Sequence, residues 1–212
     1  MTLSFPLTNL MSLCSYTPDG EPWDLKQRQE MSRTAIGRSI AKDMGPGLWV
    51  GGFTTQPLSL DDMLDVEAVL NSLDGIVNTF EARDLRRPYP RSSPAGSFGD
   101  TGTIYAVQNN KAIRLTGLDA AFVISRGDYL SFDYGGNRYL HQAMETVTAV
   151  AGLTPYFEVR PYIKAGLVLS PSIAVKLKQP SAICSLVPNS VQKRMINGVQ
   201  GTVSFQAMQV LV

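Results

Sequence analysis

The chain has 212 residues, of which 44% are hydrophobic and only 17% are charged, whereas an average soluble domain carries about 25% charged residues. Its 19 Lys and Arg residues balance 18 Asp and Glu residues, and this net charge of +1 argues against free-standing binding to nucleic acid or an acidic membrane. The 18 glycines and 13 prolines disfavour long helices and coiled coils, because both residues interrupt helix interiors. The composition favours a β-rich protein with many turns, and so little charge suits a protein whose surface is largely covered by copies of itself.

The beginning of the chain and its cysteines carry no targeting or metal-binding pattern. No positively charged segment precedes an apolar run, and no apolar run approaches the ~18 residues of a membrane helix. We therefore expect no signal peptide and no membrane span. Cys14 and Cys184 fit no metal-ligand spacing. They are typical of buried, reduced thiols in a protein made in a cytoplasm, with a disulfide as the alternative.

The first segments predict an edge element and a hairpin. Residues 1–32 contain strand-like pieces interrupted by prolines, and predict an N-terminal arm or edge segment. Residues 33–41 alternate partially between apolar and polar side chains. Residues 48–54 form a short apolar run with two glycines, which is typical of a strand with a bulge or with a close approach of another backbone. With a turn at 43–47, these two runs predict a β-hairpin.

One segment has the period of a helix. Its apolar residues recur at three- and four-residue intervals, Ser59 is suited to cap it, and Asp61 and Asp62 suit its positive end. The pattern predicts a helix over residues 59–74. The carboxylates, Asp65 included, are explained more simply as solvated helix positions than as an acid-base or metal group.

Residues 83–102 form the longest candidate loop, with three prolines, three glycines and no apolar periodicity. Long ordered loops are frequently functional. Planar donors and one stackable ring are concentrated at its start: Arg83, Arg86, Arg87, Tyr89 and Arg91. Nearby acids offset most of this positive charge, so we favour a protein over nucleic acid as the partner. The residues fit a protein interface and a plain solvated loop about equally well.

Strand patterns dominate the rest of the chain. Short runs, several of them separated by Gly-containing turns, lie at 103–107, 112–116, 129–134, 139–150, 156–161, 174–178, 183–186 and 202–211. Gly135 and Gly136 predict the tip of one hairpin, and the turn at 151–153 predicts a second. The whole predicts a mainly β protein, a β-sandwich or split barrel over residues 33–212 with one packed helix, with or without a second small β-domain.

The sequence holds no recognisable catalytic or cofactor-binding set. Its one histidine, His141, lies in a strand-like run without a GxSxG motif, and one histidine cannot supply a two-histidine metal site. No spacing singles out a catalytic pair among Glu81, Asp84, Glu145 and Glu158. We expect no enzyme activity, no cofactor and no metal site, with His141 as a structural residue of a sheet.

The order of the segments resembles that of a known family. A Trp-containing strand (LWVGGFT) and the acidic helix precede a strand that runs into the Arg and Pro loop (NTFEARDLRRPYPR). Then follow Leu115 and Gly117, Gly127-Asp128-Tyr129, Leu140-His141, Thr148-Ala149, Ala151-Gly152, Val159-Arg160-Pro161 and a closing strand with Phe205. Over residues 33–212 this series is similar to the distal tail proteins of long-tailed bacteriophages, in the form common among phages of Gram-negative hosts.

The resemblance implies a structural protein of the virion, located at the tail tip and assembled in the host cytoplasm. Distal tail proteins form a ring, commonly of six copies, which joins the tail tube to the tail-tip hub. The implied fold is a tail-tube-like barrel with one helix. The implied partners are further copies of the chain, the tail tube protein and the hub protein, with genomic DNA only as cargo that passes through the channel.

Two alternatives remain open at this point. The tail tube protein shares the plan of a barrel with one helix, and a carbohydrate-binding β-sandwich of the tail tip is suggested by Trp23, Trp49 and many tyrosines. If the chain forms a ring, we expect the acids of the helix and the arginines of the long loop to lie between copies. The candidate subunit-interface residues are Asp61, Asp62, Asp65, Arg83, Arg86, Arg87, Tyr89 and Arg91.

Overall fold

The computed structural model describes residues 4–15, 22–167 and 173–211. Residues 1–3 and 16–21 of the expected N-terminal arm lie outside them. The described chain is mainly β, with one α-helix, α1 (Leu60–Asn71), and one 3₁₀ helix (Leu10–Leu13). In chain order the strands are β1 (Cys14–Ser15), β2 (Asp24–Lys26), β3 (Gln29–Arg33), β4 (Ser39–Asp43), β5 (Leu48–Thr55), β6 (Leu58–Ser59), β7 (Phe80–Ala82), β8 (Thr103–Gln108), β9 (Ala112–Thr116), β10 (Val123–Ile124), β11 (Tyr129–Tyr134), β12 (Asn137–Ala143), β13 (Val147–Thr148), β14 (Phe157–Arg160), β15 (Val175–Lys176), β16 (Ala182–Leu186), β17 (Gln192–Asn197) and β18 (Gln200–Gln209).

The first sheet combines strands from both ends of the described chain. Five antiparallel strands follow one another in the order β1-β5-β18-β16-β7, while β2, β6 and β17 extend the pairing of β5 and β18. The long strands β5 and β18 form its centre, with Phe53 opposite Phe205. Gly51 in β5 is required by a close approach, because a Cβ there would lie 2.7 Å from the ring of Trp23. The same Cβ would lie 3.2 Å from the backbone Cα of Trp23, so of the two alternatives, a bulge and a close approach of backbones, Gly51 shows the close approach.

Residues 4–15 lie along both edges of this sheet. Leu7 forms a parallel bridge with Phe80 in β7, and β1 pairs with β5 at the opposite edge. Between them, the 3₁₀ helix buries Leu10 and Met11 in the core. In its described part this N-terminal segment is therefore an edge segment that nearly closes the sheet into a barrel.

The helix forms for the reasons that its sequence indicated. The Ser59 hydroxyl caps it by accepting the backbone N–H of Asp62 at 3.2 Å. Its buried face packs on β18, where Gly201 permits contact: a Cβ there would lie 2.6 Å from the sulfur of Met63. The helix ends at Asn71, before the predicted 74, and the chain then turns through Asp74 with a positive φ of 48°.

The prediction that residues 33–41 and 48–54 form a hairpin is wrong, because the two segments do not pair with each other. Strand β3 pairs with β4, and β5 pairs with β18 in the first sheet. The reason is Gly37, whose φ of 79° turns the chain in the middle of the expected strand. The turn at 43–47 therefore connects strands of different sheets, and the boundary expected between residues 32 and 33 falls inside β3.

A six-stranded barrel is inserted between two neighbouring strands of the first sheet. Its antiparallel order is β15-β11-β12-β14-β9-β8, and a bridge between Thr103 and Ala174 closes it. The chain leaves the first sheet after β7 and returns in β16, where Ala182 pairs with Ala82. The prediction of a mainly β fold of the split-barrel type with one helix is confirmed, and the inserted barrel is a second β unit with its own hydrophobic cluster.

The hairpin β11–β12 forms the wall between the two cores. Its tip, Gly135-Gly136, has two positive φ angles as predicted. On one face Tyr129 and Leu140 join the core of the first sheet, and on the other Phe132 joins the core of the barrel. The indole N–H of Trp49 donates to the carbonyl of Leu140 at 2.8 Å, which connects the first sheet directly to this wall.

Replacing Trp49 by Phe tests this connection. We expect Trp49→Phe to lower the free energy of unfolding by about 1–3 kcal/mol more than the change in ring size alone, because a buried hydrogen bond is lost. The matched control is Trp23→Phe, since Trp23 is also buried and stacks on Trp49 at 6.1 Å, but its indole nitrogen has no hydrogen-bond partner in the described chain. Urea unfolding measures both. A loss for Trp23→Phe as large as that for Trp49→Phe would contradict the role of the hydrogen bond.

Candidate subunit interface

The three aspartates of the helix have two different roles. Asp62 belongs to the helix cap, where its carboxylate accepts the Ser59 hydroxyl at 2.7 Å. Asp61 and Asp65 are exposed and lie one turn apart, so that they share a face of the helix. Leu64 lies beside them with 62% of its surface exposed. This outer face combines carboxylates with apolar side chains.

The first two arginines of the long loop, Arg83 and Arg86, have different surroundings. The Arg86 guanidinium forms a two-pronged ion pair with Asp84, with Nε and Nη2 at 2.9 and 3.1 Å from its two oxygens. Arg83 is partly buried, and burial lowers the pKa of its guanidinium. Its Nε is buried and has no hydrogen-bond partner among the described residues. Tyr89 packs on Gly96, where a Cβ would lie 2.8 Å from the ring.

The next two arginines attach the loop to the inserted barrel. Arg87 donates to the carbonyl of Gly127 at 3.2 Å, and the backbone N–H of Arg91 donates to Asp128 at 3.0 Å. Asp128 is buried and also accepts the N–H of Ser125 at 2.8 Å. Burial raises the pKa of Asp128, while these two N–H donors act in the opposite direction. The loop is therefore a strap held against the barrel, and its contact with another copy stays a prediction.

Sequence reasoning missed the most exposed element of the described chain. All five residues in each of the strands β3 and β4 are exposed, and these strands pair only with each other among the described strands. Met31, Ile36 and Ile40 project apolar surface from them, and Ile36 at the tip is 95% exposed. The signal was present in the sequence as Gly37 inside an otherwise strand-like run.

Strand β17 is a second exposed edge. All six of its residues are exposed, and it pairs with β18 on one side only among the described strands. Met195 and Ile196 are half-exposed apolar side chains on it. An ion pair of 2.6 Å between Lys193 and Glu67 fixes this strand to the helix.

The acids considered as a catalytic set do not converge. Glu81 pairs with Arg138 at 2.6 Å and belongs to the junction of the two β units. Glu158 and Glu145 line one open cleft of about 300 Å³, in which Glu158 is paired with Arg160 at 2.7 Å. No group of three or more His, Cys, Asp or Glu side chains in the described ranges is arranged to hold a metal ion.

The single histidine is enclosed in the barrel. Its Nδ1 lies 2.8 Å from the carbonyl of Pro161 and its ring stacks on Phe132 at 5.3 Å, while the buried Nε2 has no partner among the described residues. Burial lowers the pKa of His141 to about 4, against the opposing effect of the Pro161 carbonyl. His141 is thus a strand residue of the barrel interior, as the sequence predicted.

The two cysteines are free thiols in the core of the first sheet. Burial raises the pKa of Cys14 to about 12 and raises that of Cys184 as well. At neutral pH both therefore hold their proton, so neither presents the thiolate that metal binding or disulfide exchange requires. The interpretation as buried, reduced thiols agrees with this arrangement.

The aromatic side chains divide between core and surface. Trp23 and Trp49 are buried and stack on each other, so neither offers a face to a sugar. Tyr105, Tyr156 and Tyr162 are exposed on the barrel. Each of these rings lies under a cation of the same barrel: the guanidinium carbon of Arg114 is 5.3 Å from Tyr105 and 5.8 Å from Tyr156, and that of Arg160 is 4.1 Å from Tyr162.

Two comparisons with known proteins were negative. No protein-family model matches the chain, and a search of curated proteins finds no match. No helix within the described ranges is both long enough and apolar enough to cross a bilayer. The resemblance to distal tail proteins therefore depends on the sequence segments alone.

Removal of Asp128 tests whether the loop is a strap. In Asp128→Ala the backbone N–H groups of Ser125 and Arg91 lose their buried acceptor, so we expect unfolding to become easier by about 1–3 kcal/mol. Local opening of the loop should then accelerate trypsin cleavage after Arg91 by about tenfold. Limited proteolysis followed by mass spectrometry measures the rate.

Asp119→Ala is the matched control for the loop, since Asp119 is exposed and accepts the backbone N–H of Gly99 at its other end, at 3.1 Å. We expect it to leave the rate of cleavage after Arg91 nearly unchanged. Equal cleavage rates in the wild type and in Asp128→Ala would show that Asp128 does not hold the loop.

The buried histidine predicts a pH dependence of stability. Its pKa falls from 6.5 to about 4 on folding, so between these values the unfolded chain binds a proton that the folded chain excludes. Stability is then unaffected by His141 above pH 6.5 and falls by about 3 kcal/mol as the pH drops to 4. His141→Phe keeps a ring against Phe132 and removes the titration. In urea unfolding at pH 7, 5.5 and 4, the stability of the wild type relative to His141→Phe should fall by about 3 kcal/mol between pH 7 and pH 4, and parallel pH curves would contradict the prediction.

Proposed function

We propose that this chain is a structural subunit of a bacteriophage tail, the distal tail protein, whose copies form a ring between the tail tube and the tail-tip hub. Two lines of support carry the proposal. The first is the ordered sequence resemblance over residues 33–212. The second is the exposed hairpin β3–β4, an element without a core of its own.

The hairpin β3–β4 supports assembly because its side chains are exposed in a single copy of the chain. A two-stranded hairpin is marginally stable in water unless its side chains pack on something. Here every strand residue is exposed, and Met31, Ile36 and Ile40 present apolar surface to solvent. Such an exposed edge invites pairing with another chain. In a ring, the surface of a neighbouring copy would cover it.

A second exposed edge favours a closed ring over a dimer. Strand β17 belongs to the first sheet, whereas the hairpin β3–β4 is a separate two-stranded ladder. With two different surfaces, each copy can contact one neighbour with each of them. Repeated contacts between unlike surfaces close into a ring when the rotation between copies permits it.

Of the alternatives, the tail tube protein has the same barrel-and-helix plan, and the number of copies in the virion separates the two. A tube contains many stacked rings and a distal tail protein a single ring. Carbohydrate binding through the tryptophans is not supported, because Trp23 and Trp49 are buried against each other.

The decisive experiment is native mass spectrometry of the purified protein, combined with negative-stain imaging and immunogold labelling of virions from the encoding phage. We expect a closed ring, commonly of six copies, and label at the tail tip only. Label along the whole tail would indicate the tube protein. A protein that stays monomeric at every concentration and is absent from the tail would overturn the proposal.

A hairpin variant provides the matched comparison. Replacing Met31, Ile36 and Ile40 by Ser should raise the protein concentration needed for assembly at least tenfold, since the exposed apolar surface is removed. The control is Tyr105→Ser on the barrel surface, which should assemble as the wild type does.

A further inference from the structure

Two exposed surfaces of the described chain have complementary chemistry. We name the first the helix stripe: Leu60, Asp61, Leu64 and Asp65 on the outer face of α1. We name the second the hairpin tip: Arg33, Ile36 and Arg38 at the end of β3–β4. Each surface combines exposed apolar side chains with charges of one sign, negative on the stripe and positive on the tip.

The helix stripe is a continuous surface because of helical spacing. Leu60 and Leu64 are four residues apart, and so are Asp61 and Asp65, which places the four side chains in two adjacent rows. The opposite face, with Met63, Val66 and Leu70, is buried against the sheet. An exposed leucine row next to a carboxylate row is therefore left on the outside of the fold, with Leu64 62% exposed.

The hairpin tip is organised before any partner binds. The backbone N–H of Thr34 donates to the carbonyl of Arg38 at 2.9 Å, and the Thr34 hydroxyl accepts the N–H of Arg38 at 3.1 Å. Gly37 donates back to the Thr34 carbonyl at 2.8 Å and completes the turn. This closed turn holds Ile36 at the extreme end with an exposed arginine on each side, which lowers the entropy lost when the tip is bound.

Within one copy neither surface is covered by the other. Ile36 is 95% exposed and Leu64 is 62% exposed, so the tip does not rest on the stripe of its own chain. The element that satisfies both surfaces at once is a second copy of the same chain. A contact between two unlike surfaces repeats from copy to copy, which is the condition for a ring.

We propose that the hairpin tip of one copy docks on the helix stripe of the next, with Ile36 against Leu60 and Leu64 and with Arg33 and Arg38 facing Asp61 and Asp65. This inference rests on the proposed function and specifies which surfaces meet in the ring: the hairpin contacts the helix stripe, on the helix to which Lys193 of β17 is paired, and not the edge of β17 itself. It also places the basic side of the interface on the hairpin tip instead of the long-loop arginines. The guanidinium groups of Arg86, Arg87 and Arg91 contact acceptors of their own chain, and Arg83 is partly buried.

Charge reversal on each surface gives a test with an internal control. The first variant, Asp61→Lys with Asp65→Lys, makes both surfaces basic, and the second, Arg33→Asp with Arg38→Asp, makes both acidic. Each variant alone then places like charges at every contact. We expect each to need at least tenfold more protein than the wild type for assembly, as measured by native mass spectrometry and mass photometry.

An equimolar mixture of the two variants should assemble again. The basic tip of the first variant meets the acidic stripe of the second, and the acidic tip of the second meets the basic stripe of the first. Mass spectrometry should therefore find assemblies that contain the two variants in equal numbers. A chain that carries all four substitutions should also assemble, because each contact regains opposite charges.

Two exposed charges outside both surfaces serve as controls, Glu145→Lys and Lys164→Glu, and both should assemble as the wild type does. All variants should keep cooperative urea unfolding, since the altered side chains are exposed. The proposed docking would be overturned by variants that assemble like the controls, or by a mixture that fails to assemble. If the wild type still forms a ring in that case, the proposed function is unaffected. A wild type that is monomeric at every concentration would instead overturn the proposed function itself.

Discussion

Strands β11 and β12 carry buried side chains on both faces, so their apolar residues are fixed by one of two cores. Tyr129 and Leu140 face the first sheet, while Leu130, Phe132 and His141 face the barrel. A register slip of one residue would exchange the two sets, which neither core could accommodate. The turn at Gly135-Gly136 and the hydrogen bond from the Trp49 indole to the Leu140 carbonyl hold the one register that satisfies both cores.

The other contacts between the first sheet and the barrel arise because the barrel is inserted between the paired strands β7 and β16. Arg138 in β12 reaches Glu81 in β7 at 2.6 Å and also Asp133 at 2.7 Å, and the hydrogen bond to Asp133 contributes most to raising the pKa of Arg138. The long loop must cross from β7 to the barrel, and buried Asp128 receives its backbone. The carboxylates and arginines of this region therefore organise the polypeptide where two units meet, and their dense charge reflects that junction.

Local sequence patterns predicted much of the fold. The features that depend on contacts between residues far apart in the chain could not be predicted. The helix and its Ser59 cap, the β11–β12 hairpin and the place of His141 in a sheet all depend on spacing within a few residues. The pairing of β5 with β18, whose residues are about 150 positions apart, leaves no trace in either strand. The same limit applies to the candidate interface: the sequence shows the arginines at 83–91 but not Asp128, whose carboxylate comes from a distant turn. Gly37 was the local signal that separates β3 from β4, and its effect on the chain direction outweighed the alternation around it.

The low fraction of charged residues can be interpreted from the positions of the charged side chains in the fold. Many of the ionic contacts lie within the fold: Asp84 with Arg86, Glu81 with Arg138, Glu158 with Arg160, and Glu67 with Lys193. The charges of the helix stripe and of the hairpin tip belong to other residues: the stripe is the outer face of α1, the helix that also carries Glu67, and the tip is the exposed end of β3–β4. The groups that hold the fold and the groups that face outward are therefore different residues. None of the stripe or tip charges takes part in these ion pairs, so we expect a change of their sign to leave both cores intact; Asp61→Lys should cost only the favourable interaction of Asp61 with the positive end of the helix.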